Sequence, residues 1–243
     1  MRIAALLFAL LLVPAFGAAP RSLEAGKPVV LQQDQAYFLF RTIVPKGTWD
    51  YTPAFVRLLG DGELKAAQNT KERDRDSIPS NVVWLNEADP FSKKGEELTF
   101  ILPAKPGTYV VGAVGWVGGA YAFLGNCLCL GTVKFEAKPG VITDLGTFTA
   151  ARDDIPTTIP QLQKYVRATD TIDPVPVITL LQPFADGMSV PAEVSSLPKS
   201  AADYRAAGSF PNYFGAIVDR LPPIPGVLDY DKDGRVVDLN AAR

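Results

Sequence analysis

Short apolar runs bounded by turn residues recur through the first 150 residues, and along a strand successive side chains point to opposite faces. Residues 28–33, 36–44 and 54–59 read as strands. In the second, Phe38, Phe40 and Val44 share one face while Tyr37, Leu39 and Ile43 share the other, so both faces want burial and the strand belongs inside a sheet. Residues 82–85 make a further short strand. Residues 98–149 then read as four strands joined by turns. Ala104-Lys105-Pro106-Gly107 and Ala137-Lys138-Pro139-Gly140 each place Pro at the second and Gly at the third position of a turn that starts at the Lys, which presets one φ and frees the next. Gly118-Gly119 between them is a two-residue hairpin signal. Along residues 127–137, Cys127, Cys129, Val133 and Phe135 fall on one face and Thr132, Lys134 and Glu136 on the other. Residues 141–149 are expected to pair back across Pro139-Gly140. Four consecutive antiparallel strands make one sheet and the strands before Leu98 a second, the layering of a sandwich.

Two stretches break this rhythm. Residues 61–81 are polar, and Lys71-Glu72-Arg73-Asp74-Arg75-Asp76 is a run of mixed charges, read as a solvated loop. Beyond Ala150 the prolines crowd between Pro156 and Pro225, and proline suits neither central strands nor helix interiors. Extended chain with one or two short helices is expected there. The candidates are residues 159–168 and 197–207, the second ended by Gly208. Val177, Phe184, Tyr204, Phe210, Tyr213, Phe214, Ile217 and Val218 supply enough apolar surface for this segment to fold onto the rest. Residues 227–239 read as strand, turn, strand. The expectation is an all-β, two-sheet antiparallel sandwich, Ig/transthyretin-like in broad architecture. Its parts are a signal peptide at 1–19, the sandwich at 20–150 and a proline-rich wrapping segment at 151–243.

Composition narrows the chemistry. Lys plus Arg total 24 against 26 for Asp plus Glu, which gives no basic field for nucleic acid. Met1-Arg2 followed by apolar residues and then Gly17, Ala18 and Ala19 has the layout of a secretory signal, with cleavage expected after Gly17 or Ala19. Pro106 to Val133 carries no charge, but its glycines and aromatics favour buried strands over a membrane span. Histidine is absent, so Ser-His-Asp and Cys-His catalysis and imidazole ligation are excluded.

Leu102-Pro103 through Pro106-Gly107-Thr108-Tyr109, then Gly131-Thr132-Val133-Lys134-Phe135 and Pro139-Gly140-Val141-Ile142-Thr143-Asp144-Leu145-Gly146, resemble uncharacterised bacterial secreted and lipoprotein β-sandwich domains. Those carry a PPG-x-Y turn-strand and a G-T-V-x-F hairpin ending in Leu-Gly. The resemblance implies an extracytoplasmic sandwich and brings no catalytic residues. The lipidated Cys of the lipoprotein members is missing here.

Three small constellations remain. Cys127 and Cys129 share a strand face at about 6.5–7 Å, the upper limit for a disulfide, so bonding needs a local bend. Reduced core thiols and a redox or metal role are the alternatives. Asp229-Tyr230-Asp231-Lys232-Asp233-Gly234 matches the opening of a calcium loop, with Asp229, Asp231 and Asp233 as candidate ligands, but position twelve is Asn240 and the flanks are β-like. The same residues make a good hairpin turn without metal. Ser196-Leu197-Pro198-Lys199 fits S-x-x-K without its companion motifs. Asp153-Asp154 point apart in extended chain, and Trp49, Trp84 and Trp116 read mainly as core, with Trp49 the best stacking candidate. The function expected is a secreted or periplasmic, non-catalytic binding or structural module with an envelope component as partner and no membrane span in the mature chain. The alternatives are a calcium-stabilised module and a thiol-redox protein or enzyme.

Overall fold

A computed structural model describes residues 23–43, 51–59, 81–84, 90–118, 122–152, 177–213 and 215–241. Fifteen strands are found there: β1 (Ala36–Ile43), β2 (Thr52–Arg57), β3 (Val82–Trp84), β4 (Ser92–Lys94), β5 (Glu97–Ala104), β6 (Gly107–Gly118), β7 (Ala122–Cys127), β8 (Thr132–Ala137), β9 (Ile142–Arg152), β10 (Val177–Gln182), β11 (Lys199–Ala201), β12 (Arg205–Ala207), β13 (Ile217–Val218), β14 (Leu228–Tyr230) and β15 (Val236–Asp238). One sheet runs β10-β9-β1-β5-β4, with β11 also on β9. A second runs β12-β8-β6-β2-β3, with β7 on β6 and β13 on β7. The β14-β15 hairpin stands by itself.

The two large sheets share one aromatic core. Phe38 and Phe40 of β1 meet Phe55 of β2 at ring centroids of 5.2 and 5.6 Å, and Phe38 lies 4.8 Å from Tyr109 and 5.3 Å from Phe135. Most of these contacts are edge to face, the arrangement the ring quadrupoles favour. As the alternation of its residues requires, β1 is buried on both faces: Tyr37 and Leu39 pack away from that core with Phe91, Ile101, Ile142 and Val194. Leu23, Val29, Leu31, Val190 and Leu197 cover this second face.

Several expectations are corrected. Residues 98–149 do not form one antiparallel sheet. β5 belongs to the first sheet and β6 to the second, and β8 and β9 are divided in the same way, so both Pro-Gly bends carry the chain between layers. A Pro-Gly turn fixes a reversal but not the hydrogen-bond partner of the next strand, and the doubly buried β1 needs a neighbour on each side. It takes β5 antiparallel and β9 parallel. The pairs β11-β9 and β13-β7 are also parallel, so the sheets are mixed, not purely antiparallel. The Gly118-Gly119 turn is longer than two residues, since Gly118 opposes Ala122. The expected strand over 127–137 is interrupted at Leu128 to Gly131, and the strand expected over 28–33 is not formed, Val29 and Leu31 packing on the second face instead.

The helix expected over 197–207 is instead β11 and β12, because Lys199 to Ala201 find a sheet partner in β9 and Arg205 to Ala207 one in β8. One 3-10 turn, Ala192–Val194, is present. The other helix candidate, 159–168, lies outside the described residues, as do Lys71 to Asp76, Asp153-Asp154 and Trp49. Among the described residues no helix is long and apolar enough to cross a membrane.

Candidate functional site

A buried polar cluster lies on the outer face of the first sheet. Arg41 follows Tyr37 and Leu39 on that face of β1, and its guanidinium grips Asp144 of β9 with both forks, Nη1 to Oδ1 at 2.8 Å and Nη2 to Oδ2 at 3.0 Å. Both side chains are nearly excluded from solvent, at 1% and 4% exposure, so the charges stand only because each is fully partnered. Nε and Nη2 also donate to the Ser189 carbonyl at 2.9 and 2.6 Å. Phe184 lies under the guanidinium at 6.0 Å.

A bulge in β9 makes this placement possible. Ile142 packs on the outer face while Leu145 and Phe148 face the shared core, and the register with β1 jumps between Leu39 and Arg41. Gly146 absorbs the extra residue at φ 81°, and its amide donates to Asp144 Oδ1 at 2.9 Å. A Cβ there would sit 2.1 Å from the Gln182 carbonyl oxygen. Beneath, Tyr204 donates its hydroxyl to the Leu145 carbonyl at 2.9 Å. Burial, and then the negative charge of Asp144, push its ionisation well above the ordinary tyrosine range. Nothing in the turn and strand signatures singled out this cluster. The available signal was Arg41 itself, a charge inside a strand whose two faces are apolar.

Cys127 and Cys129 stand at disulfide distance with Cα atoms 5.1 Å apart, closer than an extended strand allows, and the bend lies at Leu128. Both cysteines are buried and pack with Phe210, Tyr213 and Ala216, separate from Val133 and Phe135, which face the shared core.

The acidic loop forms a tight hairpin. Asp231 Oδ1 accepts the amides of Asp233 at 2.9 Å and Arg235 at 2.8 Å, and Gly234 takes φ 75°. Asp233 pairs with Lys232 at 3.0 Å, and Asp229 Oδ1 accepts the Tyr230 amide. Asn240 is turned elsewhere, its side-chain amide donating to the Tyr204 carbonyl at 3.1 Å. Among the described residues no group of three acidic or cysteine side chains is placed to hold a metal ion. Ser196 and Lys199 are both exposed, and the Lys199 ammonium donates to the Ser195 carbonyl. For Trp84 and Trp116 only the strand backbone of β3 and β6 is described.

No family model matches the chain, and no curated protein or solved structure matches it.

Proposed function

We propose that this chain is a secreted or periplasmic, non-catalytic binding or structural module of the cell envelope, built as a two-layer sandwich of the Ig/transthyretin type in broad architecture. One observation carries the non-catalytic reading. The buried ion pair is spent on the fold itself, with every arm of Arg41 engaged by Asp144 and the Ser189 carbonyl. Two further features support the address and the architecture. The cysteine pair at bonding distance suits an oxidising compartment, in keeping with the signal-like N-terminus. Tyr109, at the start of a strand, returns its hydroxyl to the Lys105 carbonyl at 2.6 Å, a local arrangement akin to the tyrosine corner of Ig-type sandwiches.

The test is expression with the native N-terminus in a Gram-negative host, followed by fractionation and N-terminal sequencing. The expected result is recovery in the periplasm or medium, with the chain beginning after Gly17 or Ala19. The mature chain, used as bait, is expected to retain an envelope component saturably. Retention in the cytosol with both cysteines open to alkylation removes the reading.

A further inference from the structure

The segment after β12 returns to the second sheet at the bend that holds the two cysteines. Its backbone is bonded there on both sides of Leu128. The Cys127 carbonyl accepts the Asp219 amide at 2.8 Å, and the Cys129 carbonyl accepts the Phe210 amide at 3.0 Å. The Leu130 amide donates to the Asp219 carbonyl at 2.9 Å, and the Gly131 carbonyl accepts the Leu221 amide at 2.9 Å. Side chains reinforce the seat. Asn126 donates to Asp219 Oδ2 at 2.7 Å, and Phe210, stacked on Tyr213, closes over the cysteines. β13 then lies along the edge of β7 with Ile217 opposite Asn126 and Val218 opposite Cys127.

We propose that the Cys127–Cys129 bond is a local redox lock: oxidised, it holds the seat for residues 210–213 and 215–221, and reduced, it releases them and uncovers the edge of β7 while the two large sheets persist. The carbonyls that receive Phe210 and Asp219 belong to the two bonded residues, so their spacing and direction depend on the contracted bend. Without the bond the sulfurs separate to ordinary non-bonded contact, and the chain relaxes towards the about 6.5–7 Å spacing of an extended strand. The loop closed is three residues long, so the bond constrains the unfolded chain little and its effect is local. The freed edge of β7 presents unpaired amides and carbonyls able to take another strand.

The reductant required is a dithiol. One of its thiolates attacks a cysteine sulfur, forms a mixed disulfide and releases the other cysteine as a thiolate that takes up a proton. The second thiol of the reductant then displaces the remaining cysteine and closes the reductant's own disulfide, so two electrons pass to the protein and two thiols result. Because the docked segment covers the sulfurs, seating and bond are coupled in both directions.

Amide hydrogen exchange on the full chain tests this with oxidised protein, protein reduced by dithiothreitol to the mass of the dithiol form, and the Cys127→Ala/Cys129→Ala variant. In both bond-free proteins the amides of Phe210, Asp219 and Leu221 are expected to exchange at least about tenfold faster, while those of β1 and β5 are unchanged. In the reciprocal arm, Phe210→Ala is expected to speed reduction of the bond by about tenfold. Retained protection at those three amides in either bond-free protein overturns the proposal. So does a parallel rise in β1 and β5, an unaltered reduction rate in Phe210→Ala, or two alkylatable thiols in protein never exposed to reductant.

Discussion

Arg41 and Asp144 stabilise the fold only as a pair. Arg41→Met leaves a carboxylate buried opposite Leu39 with no counter-charge and strips two donors from the Ser189 carbonyl, so a loss of about 3–5 kcal/mol is expected in urea unfolding. Arg41→Met combined with Asp144→Leu removes both charges and is expected to lose less than the sum of the single changes. A loss below about 1 kcal/mol for Arg41→Met would place the pair among ordinary surface bridges. Gly146 offers a sharper contrast. Gly146→Ala meets both a left-handed φ and a carbonyl oxygen at 2.1 Å, whereas Gly187, at φ 94°, has open space around a Cβ. Gly187→Ala is expected to cost about 1–2 kcal/mol from backbone strain alone, and Gly146→Ala distinctly more, read as the difference in urea midpoints. Buried tyrosines set the alkaline limit. Tyr109 and Tyr230 are pushed to about 12, chiefly by burial, and Tyr204 is pushed in the same direction. The unfolded chain ionises these phenols near pH 10 while the folded chain keeps them protonated. Their contribution is therefore complete below about pH 10 and lost as pH rises towards 12. The share of the 295 nm phenolate absorbance that belongs to these three tyrosines is expected to appear together with loss of near-ultraviolet dichroism, not before it.

At the level of strands and turns, sequence pattern was a good guide wherever one local rule acted alone. The strand over 36–44 and its double burial follow from Tyr37-Phe38-Leu39-Phe40, and β1 has both. The wet positions of β8 were legible in part: Lys134 and Glu136 are exposed between buried Val133, Phe135 and Ala137, but Thr132, expected beside them, is buried and donates its hydroxyl to the Val111 carbonyl. Partner choice was not legible. Pro106-Gly107 and Pro139-Gly140 announce a reversal, yet whether the next strand pairs back or crosses to the other layer depends on edges supplied by distant residues. The stretch 197–207 has helix-forming residues, and sheet pairing with β9 and β8 overrode them. The Arg41 cluster was hidden for the same reason, because its partner is 103 residues away. The β14-β15 hairpin is the local case that worked, and Asp231 carries its turn. Asp231→Ala, which forfeits the hydrogen bonds from the Asp233 and Arg235 amides, is expected to lower stability by about 0.5–2 kcal/mol, while millimolar calcium is expected to leave the melting temperature of the parent chain where it was.

Across the whole chain, the late segments are integral to both layers. β10 and β11 lie on β9, β12 on β8, and Val190, Val194 and Leu197 cover the outer face of the first sheet. A fragment ending at Arg152 would leave β9 without its antiparallel neighbour and Tyr37, Leu39 and Ile142 with part of their cover removed. Such a fragment is expected to bind the dye ANS and to elute as aggregates in size-exclusion chromatography, where the full chain elutes as a sharp folded species. An independently stable fragment with native-like dichroism would show that the C-terminal segment is only an accessory.

The parallel pairing of Tyr37 with Ile142 bears on the order in which this protein matures. A ribosome adding about 5–20 residues per second needs roughly 5–20 s to reach β9 after β1 has been made. For that interval Tyr37-Phe38-Leu39-Phe40 is an oily ribbon with half its neighbours still unwritten. It is the stretch a holdase would grasp, and the stretch at which nascent chains would stick to one another in its absence.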